Sequence, residues 1–167
     1  MNKMPLSIPT ARNFGLFYYG FGGTFMDQTY MTNMMEISTT IDELAFHLDG
    51  KDLTKALEVF TEDAKLTLIE NGKVNLAADG KAQIQENLSA RMANFDYLFH
   101  NNGTKVYDIK TLDQAAVVNT SCVCRYGQLE PKATVTQFIE YCDQMIKLNG
   151  FWYIVSRTVK VISQSAH

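Results

Sequence analysis

A few side chains in this sequence are of types, and stand in places, that suit chemistry. His100 precedes Asn101-Asn102-Gly103. An imidazole titrates near neutral pH, so in a pocket it can take a proton from a carbon beside an activating group. The plainer reading is a loop histidine before a turn. Asp49 closes a helical run and, with Asp52, can cap the helix that follows. Tyr141 and Asp143 alternate with Cys142 and share one face of a strand, where they line a pocket or make a cross-strand salt bridge. Cys122-Val123-Cys124 could ligate a metal together with a histidine. Free cysteine is ordinarily a small buried hydrophobe, however, and this spacing fits the usual zinc patterns poorly, so no metal site is expected.

Elements must position these groups. Ile37, Ile41, Leu44, Ala45 and Leu48 recur at helical spacing, which predicts an amphipathic helix over 36–49 that Gly50 closes. His47, two residues before Asp49, then faces elsewhere. Asp52 is placed to cap a second, shorter helix whose stripe is Leu53, Ala56, Leu57 and Phe60. A third helix is predicted over 80–95, with Ile84, Leu88, Met92 and Phe95 on one side. Between these helices, strands at 65–69 and 74–76 flank the turn Glu70-Asn71-Gly72-Lys73. After Gly103 come strands at 105–112, 115–126, 134–148 and 151–162. Their turns are signalled by Leu112-Asp113-Gln114, Gly127 with Pro131, and Asn149-Gly150. The class is α+β: a curved antiparallel sheet wrapped around about three N-terminal helices, enclosing a conical cavity of the kind small molecules occupy.

A chain of 167 residues, 46% hydrophobic and 20% charged, supports one domain with a real core and is short for two. The expected organisation is an arm over 1–33, the domain over 34–163 and a tail over 164–167. The arm has few charges and several aromatics, and Gly20, Gly22 and Gly23 break its apolar run. That break, with no Ala-x-Ala after it, argues against a signal peptide and against a membrane span of about 20 apolar residues. The arm is expected to lie, partly ordered, on the domain or a neighbouring subunit. A formal net charge of -3 with no run of five like charges leaves no electrostatic footprint for nucleic acid or anionic lipid. Three cysteines argue against a disulfide framework and for a reducing compartment, read as the cytoplasm. Trp152 and the methionines are read as packing.

Four segments sharpen this reading: Leu48-Asp49-Gly50-Lys51-Asp52 through Phe60-Thr61-Glu62-Asp63-Ala64; Asp79-Gly80-Lys81; His100 before Gly103; and Tyr141-Cys142-Asp143 with Asn149-Gly150-Phe151-Trp152 and Arg157. The ordered set spans 36–162. It resembles the SnoaL-like branch of the nuclear transport factor 2 (NTF2)-like superfamily, of the scytalone dehydratase, bile-acid 7α-dehydratase and hexachlorocyclohexane dehydrochlorinase type. In those lyases an Asp ending the first long helix and a His before the first long strand form a catalytic dyad; the matching positions are Asp49 and His100. Dehydrochlorinase-like members also use an arginine five residues after a Trp, which matches Arg157 after Trp152. Ketosteroid isomerases place their base where Leu68 stands and their oxyanion tyrosine near Ala45, so the chain departs from that branch.

The resemblance implies a cofactor-independent lyase or isomerase, dehydratase-like, acting on a small apolar cyclic or polyketide-like molecule. His100 would be the general base and Asp49 its orienter, with Arg157 stabilising developing negative charge and Tyr141 and Asp143 as substrate-binding candidates. Neither metal nor organic cofactor is called for. The partners implied are a small-molecule ligand and a second copy of the chain, docked through the outer sheet face. The alternative is a non-catalytic binding or dimerisation module, since fold alone does not give function. A buried, mutually hydrogen-bonded Asp49 and His100 in a closed pocket favours the enzyme; a filled core with His100 in solvent favours the module.

Overall fold

The computed structural model describes residues 27–110 and 114–167. Of the arm expected over 1–33, residues 1–26 lie outside the described residues, as do the turn residues Leu112 and Asp113, whereas 28–33 belong to the first helix. Helix α1 spans Gln28–Asp49, capped by Asp27, whose side chain accepts the Thr29 N–H at 2.9 Å. It starts earlier than the periodicity suggested because its first turns are anchored by polar contacts. Lys147 Nζ donates to Asn33 Oδ1 at 3.0 Å and to Glu36 Oε2 at 2.6 Å. Apolar spacing cannot register such anchors. Helix α2 is only Leu53–Ala56, capped as expected by Asp52; a 3₁₀ turn follows, and strand β1 already begins at Phe60.

The remaining elements are β1 Phe60–Glu70, β2 Lys73–Asp79, α3 Lys81–Met92, β3 Phe95–Lys110, β4 Ala115–Gln128, β5 Ala133–Leu148 and β6 Phe151–Ala166. Asn149 and Gly150 sit at φ of 51° and 87°, the left-handed pair that a tight turn between β5 and β6 requires. One sequence signal meant something else. Asn101-Asn102-Gly103 is no turn: it lies inside β3, where pairing with β4 shifts register between Asn102 and Lys105. A side chain at Gly103 would meet Ser121 Oγ at 3.1 Å, so the glycine serves a close approach at this bulge. His100 is accordingly a strand residue.

The six strands run in the order β2-β1-β6-β5-β4-β3. The pairings are antiparallel except β1 with β6, which is parallel, so the sheet is mixed. Alternation within a strand carries no information about the direction of a partner far along the chain. The curved α+β cone itself is as expected. Ile37, Ile41 and Leu44 of α1 pack with Phe60, Met145, Trp152 and Ile154 in the main core. Cys122, Cys124, Tyr126, Val135, Ile139 and Tyr141 form a second cluster on the same inner face.

Asp42 ties α1 to the β3 bulge, accepting from Asn102 Nδ2 at 2.9 Å and Lys105 Nζ at 2.8 Å. Burial works against its ionised form, but the bonds from Lys105 and Asn102 outweigh it and hold the carboxyl below its ordinary value. A depressed folded value contributes stability above the unfolded pKa of about 3.9 and loses it as pH falls through the folded one. Asp42→Asn is therefore expected to cost up to about 1 kcal/mol near pH 7, discounted for a half-exposed carboxylate. In urea titrations the gap to wild type should close below about pH 3.

Candidate functional site

The inner sheet face and the helices line a partly open cavity of about 120 Å³. Its lining is mostly apolar, with Leu44 and Leu48 from α1, Phe60, Leu66 and Leu68 from β1, and Leu88 and Met92 from α3. Into this lining project His100, Cys124, Tyr126, Gln137, Tyr141, Arg91 and Arg157. Few polar groups in an apolar concavity is the composition of a small-molecule site.

Asp49 and His100 meet although they are 51 residues apart. Asp49 Oδ1 lies 2.6 Å from His100 Nδ1, and Asp49 Oδ2 accepts the His100 backbone N–H at 2.8 Å. One carboxylate thus fixes both the ring and the strand that carries it. The geometry follows from α1 ending at Gly50 over β3, with Lys51 Nζ donating to the Phe95 carbonyl at 2.6 Å. The side chains are 10% exposed for His100 and 21% for Asp49, so the pair is largely withdrawn from water. With Nδ1 engaged, Nε2 is the ring nitrogen left to act as a base.

Arg157 lines the same cavity, held from behind by Asp143. Its Nε and Nη2 donate to Asp143 Oδ1 and Oδ2 at 2.6 and 2.8 Å, and its guanidinium carbon sits 4.6 Å from the Tyr141 ring centre. Burial opposes the guanidinium's charge, but the Asp143 carboxylate outweighs it and holds the arginine above its ordinary pKa. Nη1 is the nitrogen not bonded to Asp143. Asp143 itself is fully buried and is not among the cavity-lining residues. Of its two readings, the structure realises the cross-strand salt bridge: it pairs with Arg157 in register. Both of its carboxylate oxygens are engaged by Arg157. Tyr141 does line the cavity, and burial pushes its phenol well above the ordinary value, so it stays a protonated donor.

His47 does not join the dyad; its ring packs edge-on against exposed Phe46. Trp152 is buried in the core. Gln137 and Tyr126 were not singled out in the sequence, although the alternation Val135, Gln137, Ile139, Tyr141, Asp143 places a polar amide on the inward phase of β5.

Cys122 and Cys124 are buried, and burial raises both thiols, Cys124 to about 12. Cys142 is part-exposed. Iodoacetamide at pH 8 should therefore modify Cys142 first in the folded protein, with Cys122 and Cys124 reacting at comparable rates only in denaturant; peptide mass mapping reads the order. Among the described residues, no group of three or more His, Cys, Asp or Glu is placed to hold a metal ion, and no helix is long and apolar enough to cross a membrane.

Comparison with known proteins agrees with this architecture. Curated protein sequences give no match. Among solved structures, a candidate scytalone dehydratase from Novosphingobium aromaticivorans superposes with a TM-score of 0.77 at 18% identity, covering 85% of this chain and 92% of that one. The hexachlorocyclohexane dehydrochlorinase LinA-type3 from Novosphingobium barchaimii has a TM-score of 0.74 at 10% identity, with coverages of 85% and 94%. A candidate aromatic ring hydroxylase from N. aromaticivorans gives 0.73 at 19% identity, with coverages of 82% and 94%. At these identities the likeness is one of fold. The family model of the SnoaL-like domain matches residues 29–158, from the first turns of α1 into β6, and the chain belongs to that family.

Proposed function

We propose that the cavity is the active site of a cofactor-independent lyase or isomerase acting on a small, largely apolar cyclic or polyketide-like molecule. The observation that carries this reading is the 2.6 Å bond between Asp49 Oδ1 and His100 Nδ1 at the wall of an apolar cavity. His100 Nε2 takes a proton from a carbon next to a carbonyl or comparable activating group. The C–H electrons pass into an enolate and then a new C=C bond, as hydroxide or halide leaves the neighbouring carbon; in an isomerisation the proton returns elsewhere. Asp49 holds the tautomer and stabilises the imidazolium. Arg157 Nη1 and the Tyr141 hydroxyl face the charge developing on oxygen or on the leaving group. The dehydratase and dehydrochlorinase structures of the same fold support an elimination.

The test is a screen of cyclic β-hydroxy ketones and halocycloalkanes for water or halide release, repeated with Asp49→Asn. Turnover by wild type that falls at least tenfold in Asp49→Asn is the expected result. Release that survives the substitution unchanged contradicts it.

The same reading includes a homodimer in the cytoplasm. Phe99, Val117 and Phe138 are exposed and, by alternation with His100, Val118 and Gln137, stand on the outer sheet face. Such a patch suits a second copy of the chain. Phe138→Lys should move the protein from dimer to monomer mass in size-exclusion chromatography with light scattering.

A further inference from the structure

The strand register gathers polar side chains around Cys124, of which the elimination chemistry above uses only His100. His100 of β3 lies opposite Cys124 of β4, and Cys124 lies opposite Gln137 of β5. Tyr126, two residues along β4, pairs with Leu98 and Val135, so it stands diagonally to both His100 and Gln137, at roughly 7–8 Å between backbones. His100, Cys124, Tyr126 and Gln137 all line the cavity.

Gln137 is 4% exposed, and burying an amide among Ile139, Val135 and Tyr126 is costly unless its polar atoms are matched. Only one partner is present among the described residues: Gln137 Nε2 donates to Gln164 Oε1 at 3.0 Å. The other amide atom has none, nor has the Tyr126 hydroxyl. Buried side-chain atoms sealed away without a partner do occur here, namely Thr61 Oγ1, Asn102 Oδ1, Thr120 Oγ1 and Trp152 Nε1, but none belongs to a cavity-lining residue. Gln137 and Tyr126 both line the cavity, and their unpartnered atoms are not among those sealed in the core. Burial also raises the Tyr126 phenol, which keeps it a donor at neutral pH.

We infer that Gln137 and Tyr126 form an oxygen-binding subsite that selects a ligand carrying a ring hydroxyl, at the end of the cavity away from the Asp143–Arg157 pair. A hydroxyl is both donor and acceptor, so it satisfies the amide in either orientation and accepts from Tyr126 at the same time. A bare hydrocarbon or halocarbon of equal size leaves both groups unmatched. Selection against it comes from those stranded polar atoms as much as from the bond gained. Gln164 is a positioning residue that holds the amide in place. The inference rests on the reading of the cavity as the substrate site, and it concerns binding alone.

The experiment is a titration of 15N-labelled protein with 2-naphthol and with naphthalene, followed by amide shifts of cavity residues. Wild type is expected to bind 2-naphthol about tenfold more tightly. Gln137→Leu and Tyr126→Phe should each remove most of that preference while leaving naphthalene affinity within about twofold. His100→Ala should keep at least part of it. Two folded variants that both retain the full preference overturn the subsite and leave the proposed active site standing. If neither probe perturbs the cavity residues of wild type, the subsite and the substrate-cavity reading fail together.

Discussion

Asp143→Ala should lower the unfolding free energy by about 3–5 kcal/mol, the range for removing one partner of a buried ion pair. Asp143 is fully buried and Arg157 nearly so, and the pair is bidentate at 2.6 and 2.8 Å. Deleting the carboxylate leaves a guanidinium that cannot shed its proton, surrounded by Tyr141 and the apolar cavity wall. The cost is the stranded charge rather than the lost bond. A double variant, Asp143→Leu with Arg157→Met, should therefore be more stable than Asp143→Ala alone, because the charge leaves with its partner. Urea unfolding checks both, read as a fall in midpoint at unchanged slope. A loss below about 1 kcal/mol in Asp143→Ala would mean that the pair is solvated in solution, as surface pairs are.

His100→Ala should reduce turnover of an elimination substrate by about 10²–10⁴, the ordinary contribution of a positioned general base. The loss should fall on kcat more than on KM, because Nε2 touches the proton only as it is transferred. Asp49→Asn should also be costly, since an amide has one acceptor oxygen for two donors, the backbone N–H and Nδ1–H of His100, and no longer stabilises the imidazolium. Arg157 variants do not separate catalysis from stability, because the same guanidinium neutralises Asp143. Circular dichroism on the His100 variant guards against a folding explanation, and Tyr141→Phe, which keeps the ring beneath Arg157, probes the oxyanion side.

The sequence made the helical face of α1, the caps and most strand ends readable, because apolar period and turn residues act locally. Asp52 capping α2 and Asn149-Gly150 closing the last hairpin needed no tertiary information. The start of α1 did, since Asn33 and Glu36 are fixed by Lys147 of β5. So did the bulge in β3: Asn101-Asn102-Gly103 has turn chemistry, and only pairing with β4 makes it strand. At the site, the resemblance nominated Asp49 and His100, and the fold supplied the contact. The salt bridge of Asp143 became visible only with the register that sets it opposite Arg157. Gln137 was overlooked because a lone glutamine on a strand has no signature; its meaning comes from what surrounds it.

In the proposed mechanism Asp49 holds His100 with its proton on Nδ1 and a bare Nε2 towards the cavity. The most direct measurement is the ring 15N spectrum of His100 at a pH where the imidazole is neutral, in wild type and in Asp49→Ala. Wild type should show the Nδ1-protonated tautomer, and Asp49→Ala should revert towards the Nε2-protonated form that free histidine prefers. A wild-type ring already protonated on Nε2, or one whose spectrum does not respond to loss of Asp49, would contradict the dyad and with it the assignment of His100 as the base.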